Sequence, residues 1–305
     1  MTLQEGLSII FGTYNMAQVK GTDRPIGVFD SGVGGLTVAA AIKQVLPAER
    51  IVYFGDLLHL PYGSKSSRAV LDFTRAAVRF LLGKGVQLIV IACNTATSIA
   101  KKTIEREVDI PVIGVIEPGA LAACRVTQNG RIGVIGTQRT IESNAYRDAI
   151  GTYDQQATVY QKPTPLLVPL IEEGWKSHPV MRLVLTEYLR EFKDKGVDTI
   201  VLGCTHYPLI KSEIQDIMGD VRVVDSAQTT AEEIAHALKD VECGHAVPRG
   251  DSGEGGYRIY LTDYTDVFRS MGEYILGRTL DDLSIITPHW TEGMIDYTYT
   301  PEANR

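Results

Sequence analysis

Cys93 and Cys204 close two segments that read almost alike. Residues 84–93 are KGVQLIVIAC and residues 195–204 are KGVDTIVLGC, with six positions identical at an offset of 111. Each cysteine ends an apolar run and precedes polar residues, Asn94-Thr95 in one copy and Thr205-His206 in the other. Backbone N–H groups at a following helix start would lower a thiol from its usual pKa of about 8.5 and generate thiolate. Two such thiols on opposite sides of one substrate could take a proton from one face of a carbon and deliver another to the opposite face. The plainer reading is a pair of buried structural cysteines. A metal site from Cys93, Cys204 and His206 rests only on a Cys-x-His spacing, which is weak support. Cys124 and Cys243 lack the flanking context and read as structural.

Other segments could serve the same chemistry. In Phe29-Asp30-Ser31-Gly32-Val33-Gly34-Gly35, the glycines permit a tight turn that leaves N–H groups free for an anion. Residue 37 is threonine, so the dinucleotide-binding glycine pattern is incomplete, and no Gly-Lys-Ser/Thr phosphate loop is present. Asp30 could accept a proton, bind an ammonium or cap the next helix. In the loop 56–66 (DLLHLPYGSKS), Tyr62 offers a hydroxyl and Gly63 an N–H, or the segment is simply a turn. Thr137 occupies the second copy's counterpart of the Asp30–Gly32 region and could meet a carboxylate. Glu172 and Glu173 lie beside an apolar stretch, where a glutamate pair is ordinarily solvated.

The elements that must position these groups follow from patterning. Ile26–Phe29, Ile51–Phe54, Leu88–Ala92, Val112–Ile116, Ile132–Ile135, Thr199–Leu202 and Val221–Val224 are continuous Val/Ile-rich runs, as expected of parallel strands buried on both faces. Ser66–Leu82, Val180–Phe192 and Thr230–Leu238 have helical spacing. The alternation predicts an α/β fold. IGVFDSG (26–32) and IGVIGT (132–137) add a second echo at an offset of 106. The expectation is two pseudo-symmetric, doubly wound parallel-sheet domains with the site in the cleft between them. The expected divisions are an N-terminal extension (1–24), a first domain (25–121) with a returning segment at about 240–278, a second domain (122–239) and a tail (279–305). Residues 245–256 read as a loop and 257–277 as one more strand and helix.

Composition sets the limits. The chain has 305 residues, 44% hydrophobic and 22% charged, with 37 acidic and 30 basic side chains for a net charge of −7. That suits a globular protein with a sizeable core and disfavours sequence-independent nucleic-acid binding. Four scattered cysteines suggest neither a zinc ribbon nor a disulfide framework, so reduced thiols in the cytoplasm are expected. The first twenty residues make a poor signal peptide, and no run reaches the roughly 18 apolar residues of a membrane span.

Taken in order, GVFDSGVGGL (27–36), PYGSKS (61–66), ACNTAT (92–97), VPLIEEG (168–174) and GCTHYPL (203–209) resemble the glutamate racemases of the cofactor-independent aspartate/glutamate racemase superfamily. The resemblance covers about residues 25–240. It implies a two-base isomerase that interconverts L- and D-glutamate without cofactor or metal and supplies D-glutamate for peptidoglycan. Cys93 and Cys204 would be the acid/base pair, Asp30 the acid beside the first, and His206 with Glu172 the polar groups beside the second, Glu173 remaining the alternative. Asp30, Ser31, Tyr62, Gly63, Asn94, Thr95, Thr137, Thr205 and His206 match substrate-binding positions. A homodimer is implied, and some members take a peptidoglycan precursor as activator. Relatives acting on aspartate commonly carry glutamate where His206 stands, which favours glutamate here. A periplasmic-type amino-acid-binding protein is the non-enzyme rival, opposed by the missing signal peptide and the repeated cysteines. An inactive interaction protein is opposed by the complete set of matching positions.

Overall fold

The computed structural model describes residues 24–242, 256–280, 283–291 and 294–298. Residues 1–23, Cys243, Gly244 and residues 245–255 of the expected loop lie outside the described residues.

Four strands open the chain: β1 (Ile26–Asp30), β2 (Ile51–Gly55), β3 (Leu88–Ile91) and β4 (Val112–Gly114). Four more follow: β5 (Arg131–Gly136), β6 (Thr158–Pro163), β7 (Thr199–Gly203) and β8 (Arg222–Asp225). The first set pairs in the order β2-β1-β3-β4 and the second as β6-β5-β7-β8, all parallel. The two orders are the same, so the sequence echo reflects a shared topology, and β3 and β7 occupy equivalent places. β9 (Tyr257–Leu261) and β10 (Leu283–Ile285) then return to extend the first sheet beyond β2. The fold is thus two parallel-sheet α/β domains.

The uninterrupted apolar runs are explained by cores on both faces of each sheet. Leu88 and Val90 of β3 join one core while Ile89 and Ile91 join the other. In β7, Ile200 and Leu202 face one side and Val201 the opposite. Each such fully buried side chain stabilises the fold by roughly 1.5–3 kcal/mol relative to exposure. Among the first eight strands, the one absent from the sequence reading is β6 (TVYQKP), an edge strand of half-buried and exposed residues. Its outer side has no partner to bury, so it lacks the Val/Ile run.

The helices are α1 (Leu36–Val45), α2 (Ser67–Gly83), α3 (Asn94–Glu107), α4 (Ile116–Val126), α5 (Gln138–Glu142), α6 (Ala145–Tyr153), α7 (Leu167–Glu172), α8 (Pro179–Asp194), α9 (Lys211–Met218), α10 (Ser226–Glu242) and α11 (Asp266–Leu276). The Ser66 hydroxyl caps α2 by accepting from the Ala69 N–H at 3.2 Å, satisfying a donor that the helix cannot.

The expected divisions near 121 and 239 fall inside α4 and α10. α4 bridges the lobes, with Leu121 in a core of the first sheet and Ile116, Ala120 and Ala123 in a core of the second. α10 starts at the end of β8 yet buries Ala227, Ala231 and Ile234 in the first lobe. The tail that carried no pattern forms β10 and a hairpin of β11 (Thr287–Thr291) and β12 (Met294–Thr298). No helix among the described residues is long and apolar enough to cross a membrane.

Candidate active site

β1 delivers Asp30 to the carboxyl edge of the first sheet, where it is fully buried. Gly32 N–H donates to Asp30 Oδ2 at 2.9 Å, and the Tyr53 hydroxyl donates to the Gly32 carbonyl at 2.6 Å. A side chain at Gly35 would strike Asp30 and Tyr53, which is why this turn requires glycine there. Burial raises the Asp30 carboxyl. The charge of His206 and the N–H groups of Gly32 and Gly35 pull it partly back.

Cys93 stands one residue beyond the end of β3 and is the N-cap residue of α3, with only 6% of its surface exposed. Ser31 Oγ lies 3.6 Å from its Sγ. The helix start was expected to lower this thiol. Instead burial, and then the charge of Asp30, push it up to about 12, outweighing the Ala96 N–H and the Ser31 hydroxyl. Negative charge on Cys204 raises it further.

Cys204 holds the matching place after β7 and is equally buried. Its Sγ lies 3.9 Å from His206 Nδ1, and His206 Nε2 lies 3.1 Å from Glu172 Oε1 at the end of α7. Burial alone would push His206 down. Its contacts with Cys204 and Glu172 overcome this and lift it to about 10, so the imidazole is a cation at neutral pH. Glu173 is exposed and lines a cavity of about 260 Å³ with Lys176, Met271 and Tyr274. Of the two glutamates, Glu172 is the one that reaches His206.

The lobes meet around these groups. Thr205 Oγ1 donates to Asp30 Oδ1 at 3.4 Å, and Thr37 Oγ1 donates to the Thr205 carbonyl at 3.0 Å. Thr95 Oγ1 lies 3.0 Å from Thr137 Oγ1 and 3.3 Å from Thr140 Oγ1. A Cβ at Gly63 would sit 2.8 Å from the Thr137 Cβ, so the turn bearing Gly63 abuts the opposite lobe. The Asn94 side chain accepts from the Tyr146 hydroxyl at 2.7 Å, while its Nδ2 is buried without a partner.

The Tyr62 hydroxyl donates to the buried Asp56 carboxylate at 2.6 Å. Asp30, Ser31, Gly63, Cys93, Asn94, Thr95, Thr137, Glu172, Cys204, Thr205 and His206 converge at the junction of the lobes. Sequence reasoning overlooked Thr37, Tyr53, Thr140 and Tyr146, which hold that junction by contacts across 3 to 168 positions. Among the described residues, no three His, Cys, Asp or Glu side chains are grouped as a metal site.

Comparison with known proteins agrees with this architecture. The family model for Asp/Glu/hydantoin racemases matches residues 26–234. The chain belongs to this family. Among its relatives, the glutamate racemase of Neisseria meningitidis serogroup A is 45% identical over 268 residues, covering 88% of this chain and 98% of that protein. Among solved structures, glutamate racemase isoform RacE1 from Bacillus anthracis is 36% identical with a TM-score of 0.79, covering 89% of this chain and 98% of that one. The glutamate racemase of Francisella tularensis, crystallised with D-glutamate, is 39% identical with a TM-score of 0.79, covering 87% and 98%. The site residues described above all lie within the span matched to the racemase family.

Proposed function

We propose that the chain is a glutamate racemase that exchanges the Cα proton of its substrate between two cysteines. The observation that carries this reading is the equivalent placement of Cys93 and Cys204 after β3 and β7, facing one junction from opposite lobes. One sulfur, as thiolate, takes the Cα proton. The other, as thiol, delivers its own proton to the opposite face. The product has inverted configuration, and the thiol and thiolate have traded places, ready for the reverse reaction.

The surroundings suit the two states. The His206 cation beside Cys204 stabilises negative charge on that sulfur. Burial and Asp30 keep Cys93 protonated. Asp30 can receive the substrate ammonium, whose positive charge would offset the carboxylate that holds Cys93 up. The unpartnered Asn94 Nδ2, with the Thr95 and Thr137 hydroxyls and the Gly63 N–H, offers donors for the substrate carboxylate. Such fixed donors in a dry cleft stabilise the carbanion-like transition state. General base action adds on the order of 10²–10⁴-fold.

The same reading assigns a cytoplasmic homodimer that supplies D-glutamate for peptidoglycan, with a peptidoglycan precursor as candidate activator. The experiment is incubation with L-glutamate in D₂O without cofactor, with L-aspartate as the second arm. Early D-glutamate should carry deuterium at Cα while recovered L-glutamate keeps protium. Protium in the product would contradict transfer between two separate bases. Cys93→Ala and Cys204→Ala should each abolish racemisation.

A further inference from the structure

A fully buried tyrosine behind the second cysteine joins three elements of the site. Tyr207 opens the short turn Tyr207–Ile210, just after the Cys204-Thr205-His206 segment. Its ring lies in the core of the second lobe with Ile135, Leu167, Ile171 and Cys204. Backbone bonds fold the segment tightly. The Tyr207 N–H donates to the Cys204 carbonyl and the Leu209 N–H to the His206 carbonyl, both at 3.1 Å.

The polar end of this side chain meets Thr164, which is also fully buried. The Tyr207 hydroxyl donates to the Thr164 carbonyl at 3.1 Å and lies 2.6 Å from Thr164 Oγ1. Thr164 in turn reaches two other parts of the site. Its N–H and its hydroxyl donate to the Gly136 carbonyl at 2.9 and 3.2 Å, immediately before Thr137. Its carbonyl also accepts from the Leu167 N–H at 3.2 Å, at the first residue of α7, whose last residue is Glu172. Burial, and then the charge of Cys204, raise the Tyr207 phenol well above its usual value, so it keeps its proton to donate.

We propose that Tyr207 is a positioning residue: through Thr164, its hydroxyl ties the segment carrying Cys204 and His206 to the helix carrying Glu172 and to the strand end carrying Thr137, and so sets the spacing of sulfur, imidazole and carboxylate. A buried polar chain holds one geometry because each of its groups has a fixed partner. His206 lies 3.9 Å from Cys204 Sγ through Nδ1 and 3.1 Å from Glu172 Oε1 through Nε2. The imidazole therefore spans the same two segments that Tyr207 and Thr164 link. A misplacement of about 1 Å in a reacting group can cost about 10²-fold. This inference rests on the assignment of Cys204 as one of the two bases.

The test is Tyr207→Phe, which keeps the ring in the core and removes only the hydroxyl. The fold should survive, because the Thr164 carbonyl retains the Leu167 N–H and the Thr164 hydroxyl retains the Gly136 carbonyl. Nitrogen NMR of labelled histidine should show the His206 midpoint, about 10 in the parent, fall by about one pH unit as its two partners move apart. Turnover of glutamate should drop about tenfold in kcat with KM moving far less. Thr164→Val removes the shorter of the two contacts and should lower kcat by less. Added to Tyr207→Phe it should lower kcat no further, because both act through one link. An unmoved His206 midpoint, an unchanged kcat, or losses that add in full would overturn the proposal, whatever happens to the melting temperature. The titration needs no turnover. Absence of glutamate racemisation by the unsubstituted protein would therefore sink the functional assignment, while the His206 midpoint would still decide the linkage.

Discussion

A Cβ added to Gly34 would stand 2.5 Å from Nδ1 of His206. Gly34 lies in the turn between β1 and α1, and His206 follows Cys204 on the other lobe. Thr205 Oγ1 crowds the same point. The contact therefore gauges how closely the lobes shut. Gly34→Ala must either part the lobes or turn His206 away from Glu172, and overpacking of this kind costs about 1–3 kcal/mol. If that cost falls on the closed state, kcat/KM drops by about tenfold or more. Steady-state rates alongside a melting curve would check this, and unaltered turnover would show that closure tolerates the methyl.

The His206 cation gives a pH signature. Its proton is held up to about 10, against an ordinary 6.5, because Cys204 and Glu172 overcome the opposing effect of burial. A group whose pKa is higher in the folded state contributes stability that is complete below its unfolded value and is lost as pH rises through the folded value. Melting temperature should therefore decline between 6.5 and about 10. Cys93, raised from 9.0 to about 12, adds a loss of the same sign at higher pH, so the comparison is made below 9.0. Glu172→Gln removes one of the anions that hold the proton, so the decline should still begin near 6.5 but be shallower in total and end at lower pH. Superimposable profiles for the two proteins would contradict the linkage.

Cys93 should resist alkylation. A thiol held near 12 by burial and by the charge of Asp30 has almost no thiolate at neutral pH. The thiolate is the form that reacts. Iodoacetamide labelling of this residue, followed by peptide mass spectrometry, should climb by about tenfold per pH unit between roughly pH 8 and 11 without a plateau. Asp30→Asn removes the second cause and should speed labelling. A plateau near pH 8 would mean that the thiol is far less shielded.

These behaviours were unevenly legible in the sequence. β1, β3, β5 and β7 announced themselves because both faces are buried, and nothing but Val, Ile and similar residues fits such strands. The same runs placed Cys93 and Cys204 at equivalent strand ends. β6 was hidden because one edge is open and its Gln161 and Lys162 are only half-buried. The Cys93 pKa was read in the wrong direction. A helix start is visible in sequence, but the depth of burial and the proximity of Asp30 are not. Nothing local reveals that Asp56, six positions before Tyr62, is a buried acceptor for its hydroxyl. Tyr146 was missed for a related reason: its partner Asn94 is 52 positions away, and that separation is closed only by the packing of the two lobes.

Tyr146 nonetheless governs a group essential to the proposed reaction. Its fully buried hydroxyl donates to Asn94 Oδ1 at 2.7 Å, and this fixes which end of the amide is the donor left over for substrate. Tyr146→Phe keeps the ring and leaves Oδ1 without that donor. A buried acceptor stranded in this way costs about 1–3 kcal/mol, and the cost is relieved if the amide rotates. A rotated Asn94 would present oxygen to the substrate carboxylate, where repulsion replaces a hydrogen bond. KM should therefore rise by about tenfold for L- and D-glutamate alike. Whatever the two KM values do, kcat/KM must change equally in the two directions, because the free enantiomers have equal energy and the ratio of the two kcat/KM values is fixed. Asn94→Asp in the Tyr146→Phe background should weaken binding further. Measured KM values that stay at the parent level would show that Asn94 is held by something other than Tyr146.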